Sequence, residues 1–512
     1  MTLDLPDVVV VVLDCVNADA LRAEVRGAGT DLSLGGLVAE AVVYDHAVSP
    51  GTWTVPAHAT LLTGLYPWNT GCFARSSADF PSLDPGVVRV HDVLKTLGYR
   101  TICVSGNPVL GPRYGCGLDT RFDSVSAAEP WEYMLRFPPK LARLAAAMYR
   151  TANQEFRNGN SRGHRGWAIH EYFANSVRRL SLQVPASVFC MQRLAVWGFG
   201  TDGTSEIMPS PWIEDTFDQY LAGSPDGLPL FALINLIDAH EPYFPHPSLQ
   251  NGTDYIDLVR QRQDFSSLMT GDWTPSSEEY SNLRKLYADA VHMAVTRVSR
   301  VVRLLKQRGR WDNTLFIVTS DHGQALGEHG LALHGGPPVE ALARVPLIIH
   351  YPNRAMSGSR VCSEWTSLAD ITPTILTAAG VPLEGRFDGI ALQDLDAAQP
   401  SNRIVQSYGE GLILWNPDRQ LAGSVRNALD REAVATYGGR FKLVRSLRPP
   451  GAQVYDVEAD AHELNDLSNH EPPEIGELRD SASAAIVALQ AAKTRSDARK
   501  SVSDRLRLWG YG

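Results

Sequence analysis

The stretch "DVVVVVLDC", residues 7–15, sets the tightest limit on what this chain folds into. Five consecutive valines leave no polar face, so the strand they form needs cover on both sides, as in the centre of a parallel sheet with helices above and below. Asp14 stands where that strand ends. Functional groups of open α/β sheets collect at the carboxyl ends of strands, which makes this acid a candidate from position alone.

Further apolar runs, "RTICVSG", "LPLFALINLID", "NTLFIVTSDHG" and "RVPLIIHYP", recur between helical patterns and loops. The alternation predicts an α/β fold with a large, mainly parallel sheet flanked by helices. The clearest helix follows Thr274 as N-cap and Pro275 in the first turn, runs to a stop at Gly309, and carries the stripe Leu283, Leu286, Ala290, Val291, Val298 and Val302. Residues 125–225 read as a helical insertion bearing Lys140, Arg143, Arg150, Arg157, Arg162 and Arg165. Such a basic segment is either a solvated helix face or a cover over an anionic substrate. Near residue 400 "AVATYGGRFKLVRS" and "GAQVYDVEADAHELNDLSN" predict a small antiparallel sheet, followed by an amphipathic segment over 473–492. The expected organisation is a catalytic domain over 1–400, a small C-terminal antiparallel α+β subdomain over 401–470, and a helix and tail over 471–512.

With 44% apolar and 20% charged residues in 512, the chain has the make-up of a globular protein rather than a disordered one. Its formal charge of −10 excludes a general attraction to nucleic acid or anionic membrane, so any anion site is local. The cysteines Cys15, Cys72, Cys103, Cys116, Cys190 and Cys362 have no CxxC spacing and read as buried thiols, Cys15 among them as a packing residue. No apolar run reaches the ~20 residues of a membrane span, which leads to the expectation of a soluble cytoplasmic protein.

Chemistry-bearing residues cluster after the strand runs. "VTSDHGQALGEHGLALHGG" places Asp321 and His322 at a strand end, with His329 and His334 behind them. "NLIDAHEPYFPH" places Asp238, His240 and His246 at another. Oxygen and imidazole groups converging from separate strands suit a divalent cation: Mn2+, Mg2+, Ca2+ or Zn2+. A third stretch, "TWTVPAHATLLTG" at 52–64, offers hydroxyls at Thr52 and Thr54.

Taken together, Asp14, "TVPAHATLLTG", "GYRT", "DAHEPY", "TSDHGQALGEHG", "RVPLII", "SLADITPTILTAAG", "GGRFKLV" and "VYDVEADAHELNDLSN" resemble, in order, the sulfatase-like branch of the alkaline phosphatase superfamily. The resemblance implies an alkaline phosphatase-like fold and a metal-dependent hydrolase. It also sharpens four departures. Sulfatases carry a Cys or Ser, matured to formylglycine, where this chain has Thr54, and an Arg where it has His58. Asn107 and Val109 stand where a Lys and a His grip the sulfate, and Cys15 replaces a common second aspartate.

Threonine at this position is what phospho-transferring relatives use. The resemblance therefore implies hydrolysis of phosphate diester, phosphonate ester or phosphate monoester bonds through a Thr54 nucleophile and a phosphothreonine intermediate. Asp14, Thr54, Asp321 and His322 would hold one divalent ion, His240 and His334 would serve the leaving oxygen, and Asn107 and His58 would face a small anionic ester. A second ion would draw on Asp238, His240 and His334. The alternatives are a sulfuric ester hydrolase, a phospho-group transferase, or a catalytically silent binding protein.

Overall fold

The computed structural model describes residues 5–27, 34–73, 81–112, 116–127, 211–223, 227–241, 243, 275–354, 360–383, 385, 387–395, 402–410 and 432–508. The basic residues of the 125–225 segment, Cys190, His246 and Thr274 lie outside them.

The valine run forms β1 (Asp7–Leu13), buried along its whole length. It sits inside an eight-stranded sheet of order β10-β2-β9-β6-β1-β5-β3-β4. The other strands are β2 (Val42–Val48), β3 (Arg100–Ser105), β4 (Ser124–Ala127), β5 (Leu230–Leu236), β6 (Thr314–Thr319), β9 (Leu347–His350) and β10 (Arg360–Ser367), while β7 (Ala325–Leu326) and β8 (Ala332–Leu333) pair only with each other. β1 pairs in parallel with β5 and β6, and β3 with β5 and β4; only the pairings of β9 are antiparallel. The sheet is therefore mixed and mainly parallel, as the alternation of apolar runs predicts.

The pleat explains why every residue of β1 is apolar after Asp7. Val9, Val11 and Leu13 point into one core layer, with Leu283, Ala290 and Val298, while Val8, Val10 and Val12 point into the other, with Leu61, Ile371 and Ile375. Leu61, Ile371 and Ile375 come from two helices of that second layer. They are α1 (Thr54–Thr63), buried on all sides, and α5 (Ile371–Ala378). Between them in sequence come α2 (Val90–Thr96), α3 (Pro211–Ala222) and α4 (Ser277–Gln307).

Helix α4 begins later than its sequence suggests. Ser276, not Thr274, is the N-cap: its hydroxyl accepts from Glu279 N, and the Glu279 carboxylate accepts from Ser276 N. This reciprocal box satisfies two donors that a Thr-Pro start leaves open, so it wins. At the other end Gly309, at φ +65°, turns the chain out of the helix. The stripe faces the core as expected, with Val302 only partly buried.

β11 (Val405–Gly409), β12 (Glu432–Gly438), β13 (Phe441–Arg448) and β14 (Pro450–Asp456) form a separate antiparallel sheet, and α6 (Ile475–Leu508) follows. This sheet reaches the large one through charge and through backbone. Buried Lys442 on β13 binds Glu340 at 3.0 Å and Glu463 at 2.6 Å. Tyr408 N, on β11, donates to Pro50 O at 3.0 Å, and Glu410 accepts from the Trp53 indole at 2.9 Å. The loop leading into α1 thus leans on the small sheet. Among the described residues no helix is long and apolar enough to cross a membrane.

Candidate active site

Strands β6, β1, β5 and β3 are parallel neighbours, so the residues that follow them emerge along one edge of the sheet. Asp14 and Cys15 leave β1, Ser320 to His322 leave β6, Ile237 to Glu241 leave β5, and Asn107 follows β3. Thr54 opens α1. Its N-cap is Trp53, which supplies no side-chain cap, so first-turn N–H groups of α1 remain available near the Thr54 hydroxyl.

Asn107 ties three parts of this edge together. Its Oδ1 accepts from Val109 N at 3.0 Å, which turns Nδ2 toward Asp14 Oδ2 at 2.8 Å and Thr54 Oγ1 at 3.4 Å. Asn235 donates to the same Asp14 oxygen at 3.2 Å. His322 donates from Nδ1 to Gly323 O at 3.0 Å, leaving Nε2 to face Thr54 Oγ1 at 3.5 Å and Asp321 Oδ2 at 3.4 Å. A side chain at residue 323 has no space, since a Cβ there would meet Ala341 O at 2.0 Å.

The electrostatics of this pocket are unbalanced. Burial works against the Asp14 charge, but His240, His322 and the Asn107 amide overcome it and hold the carboxyl below its usual range. Burial and the Asp14 charge push Asp321 well above the ordinary carboxylate range. Burial and the neighbouring His334 bring His322 down to about 3, so its imidazole is neutral at physiological pH. Asp321 Oδ2 is buried with no hydrogen-bond partner. Two close carboxylates, one with an orphaned oxygen, and a neutral imidazole with its lone pair turned inward are the donor set of a divalent cation. The residues present fit such an ion.

A second group borders the first. His240 and His334, with side chains 12% and 15% exposed, are the imidazoles on the open side of the cluster, their rings 4.8 Å apart. Glu241 lies between them, 3.4 Å from His240 Nδ1 and 3.6 Å from His334 Nδ1. Burial lowers the His334 pKa, yet the Glu241 charge more than compensates and raises it; Glu241 itself is held far below its normal range, its burial outweighed by both imidazoles.

Several sequence expectations change. Asp238 is not near an ion site: both its oxygens accept from Arg297 Nε at 3.1 Å, and Arg297 also grips Glu214. Thr52 faces away, donating to Gly336 O at 2.9 Å. His58, expected at the substrate, is fully buried one helical turn beyond Thr54. Its Nδ1 lies 3.0 Å from Thr54 O and 3.5 Å from Asp321 Oδ2. Cys15, read as a packing residue, adopts φ +66° and places Sγ 3.4 Å from Asp14 Oδ1 and 3.6 Å from His334 Nδ1. Glu241 and Gln324 are not singled out by sequence; the signal that could have found them is their position one residue after His240 and two after His322.

A family model described as Sulfatase matches residues 6–381. The chain belongs to the sulfatase family. Members of the family are metal-dependent hydrolases, in agreement with the donor set at Asp14, Asp321 and His322. This sulfatase-family chain is 24% identical over 519 residues to the multifunctional alkaline phosphatase superfamily protein PehA of Trinickia caryophylli, covering 94% of each. It is 25% identical over 296 residues to an arylsulfatase of Clostridium perfringens, 54% of this chain and 56% of that one. In structure it is similar to the phosphonate monoester hydrolase of Agrobacterium radiobacter, with a TM-score of 0.61 at 19% identity over 95% and 96% of the two chains. That likeness establishes the alkaline phosphatase-like fold of this sulfatase-family member.

Proposed function

We propose that this sulfatase-family protein hydrolyses phosphate or phosphonate esters through the Thr54 hydroxyl. The observation that carries the reading is the pairing of a threonine with this pocket. Its Oγ1 lies at the start of a buried helix, within 3.5 Å of His322 Nε2 and 3.4 Å of the Asn107 amide. A threonine lacks the aldehyde hydrate of formylglycine, so it attacks as an alcohol and needs a good electrophile and a stabilised oxyanion. The names of PehA and of the phosphonate monoester hydrolase support a phospho-ester substrate, while the arylsulfatase relative keeps sulfate esters as the rival.

Asp14, Asp321 and His322, with the Thr54 oxygen, would hold a divalent cation. When bound, the ion supplies Lewis acidity, stabilising charge on the nucleophile and on a phosphoryl oxygen. The chain's own groups do the rest. Asn107 donates a hydrogen bond between Asp14 and Thr54, where a phosphoryl oxygen would sit, and the α1 N-terminus favours the negative charge. The Thr54 hydroxyl proton passes to solvent, from which it returns when the oxygen is freed, and Oγ1 forms a bond to phosphorus as the bond to the leaving alcohol breaks. His334, which holds its proton more tightly than a free imidazole, gives that proton to the departing oxygen, with His240 beside it. Water then attacks the phosphothreonine, its proton returns to His334, and Thr54 is freed with its hydroxyl restored.

The test is a substrate panel. Metal-loaded protein is expected to cleave bis(p-nitrophenyl) phosphate or a phenyl phosphonate ester faster than p-nitrophenyl sulfate. Thr54→Ala is expected to lower that turnover by at least about 10⁴-fold, as removal of a nucleophile does. Faster sulfate cleavage, or a Thr54→Ala variant as active as the parent, overturns the proposal.

A further inference from the structure

Cys15, His240, Glu241 and His334 each offer one ligand atom, and the four atoms lie within 4.8 Å of one another. Cys15 Sγ is 3.6 Å from His334 Nδ1, which is 3.6 Å from Glu241 Oε2, which is 3.4 Å from His240 Nδ1. A tetrahedral ion with bonds of about 2.0 Å to nitrogen and oxygen and about 2.3 Å to sulfur holds its ligands about 3.3–3.6 Å apart. All six edges lie within 4.8 Å, and these three already have that length. The geometry points to a second cation site at Cys15, His240, Glu241 and His334, taking a borderline-soft divalent ion such as Zn2+.

The surroundings are those of a built site. Gln324 orients one of the four groups, its Nε2 donating to Glu241 Oε2 at 2.9 Å, while its Oε1 accepts at 3.1 Å from His334 Nδ1 the proton that an ion would displace. Tyr243 OH, 2.6 Å from Gln324 Nε2, fixes that amide in turn. Outer partners of this type set the tautomer and direction of metal-binding side chains. The left-handed backbone at Cys15 is unfavourable for a residue with a Cβ, and it delivers the thiol to 3.6 Å from His334 Nδ1.

The chemistry separates the two centres. Asp14, Asp321 and His322 present oxygen and one nitrogen, a set for a hard cation, whereas a thiolate with two imidazoles and one carboxylate selects a softer one. Asp14 and Cys15, adjacent in the chain, border both, since Cys15 is also within reach of Asp14 and His322. Binding would displace the Cys15 and His334 protons and put two positive charges where His334 otherwise holds one, so His334 would donate a proton to the leaving oxygen only while this site is empty. The site's catalytic meaning rests on the hydrolase reading, because that charge would lie on the side of Thr54 from which the leaving oxygen departs; the binding itself does not.

The experiment is metal stoichiometry with cobalt as a spectroscopic reporter on the full chain. Protein stripped with a chelator and dialysed against Zn2+ is expected to retain two ions per chain. Loaded with Co2+, it is expected to show a thiolate-to-cobalt charge-transfer band. Glu241→Gln and His334→Ala are each expected to reduce the content to one ion and remove the band, while Asp321→Asn loses one ion and keeps the band. Circular dichroism of each variant checks that it is folded, and Glu241→Gln, being isosteric, carries the test if His334→Ala misfolds. One ion in the parent protein, two ions without a sulfur band, or a band lost in Asp321→Asn but kept in Glu241→Gln overturns the site. Thr54→Ala is expected to keep the band, so a failed hydrolase reading and a failed second site give different results.

Discussion

The Asn107 amide donates to Asp14 Oδ2 at 2.8 Å, linking the ends of two strands that are separated in the sheet by β5. The same nitrogen is 3.4 Å from Thr54 Oγ1, so one side chain reports on the acid and on the nucleophile together. Asn107→Ala removes a donor that acts on developing charge. Its kcat on a phosphodiester is expected to fall about 10²-fold with little change in KM, a magnitude typical of losing one oxyanion donor. Steady-state kinetics check it; a rise in KM alone would make Asn107 a binding group.

Removing the cation is expected to destabilise the protein by crowding Asp14 against Asp321. At a free ion concentration of about 100 Kd the bound ion adds about 2.7 kcal/mol. Thermal unfolding with and without chelator measures the increment. Asp321→Asn is expected to lose it and, in chelator, to melt no lower than the parent, because the like-charge contact is gone.

Arg297 joins Asp238 and Glu214 in a buried triad beneath the site. Arg297→Met leaves the buried Asp238 carboxylate unpaired and Glu214 with Arg300 alone, and a loss of about 3–5 kcal/mol in denaturant unfolding is expected. Asp238→Asn is expected to lower stability without lowering metal content. A fall in bound metal would restore Asp238 as a ligand.

His91 is buried, donates to Thr120 O at 3.0 Å and stacks on Phe122 at 4.0 Å. Burial lowers its pKa from 6.5 to about 4. The unfolded chain therefore takes up this proton first as pH falls, so stability is complete above about 6.5 and declines toward pH 4, by up to about 3 kcal/mol. His91→Gln keeps a donor for the Thr120 carbonyl and removes the titration. The stability difference between parent and variant, followed by urea unfolding from pH 7 to pH 4, is expected to shift in favour of the variant as pH falls.

Legibility in the sequence follows the range of the interactions involved. The valine run, Asp14 and the Asp321-His322 pair could be placed at strand ends because alternation and strand boundaries are local signals. Asp238 was misplaced because its partner Arg297 lies 59 residues away on α4, and nothing near "IDAHE" announces an arginine. Glu241 was passed over for the opposite reason: it adjoins His240, but a lone glutamate at the head of a loop looks solvated until Gln324 and His334 are brought to it. Cys15 follows the ordinary expectation for a buried thiol, and only its left-handed backbone sets it apart. The start of α4 was readable, since Ser276 and Glu279 have the spacing of a capping box, and the Thr-Pro pair drew attention from it.

The strand order has a consequence for how this catalyst comes into being. Cys15 N reaches Asp321 Oδ1 across 306 positions of sequence, and Thr54 reaches His322 across 268. A nascent polypeptide still lacking β6 holds the Thr54 hydroxyl without the Asp321 and His322 it meets in the folded chain, so the cluster is completed only after β6 has been made. On the proposed hydrolase reading, a lesion that keeps β6 from slotting beside β1 would silence the protein outright instead of leaving a weakened version.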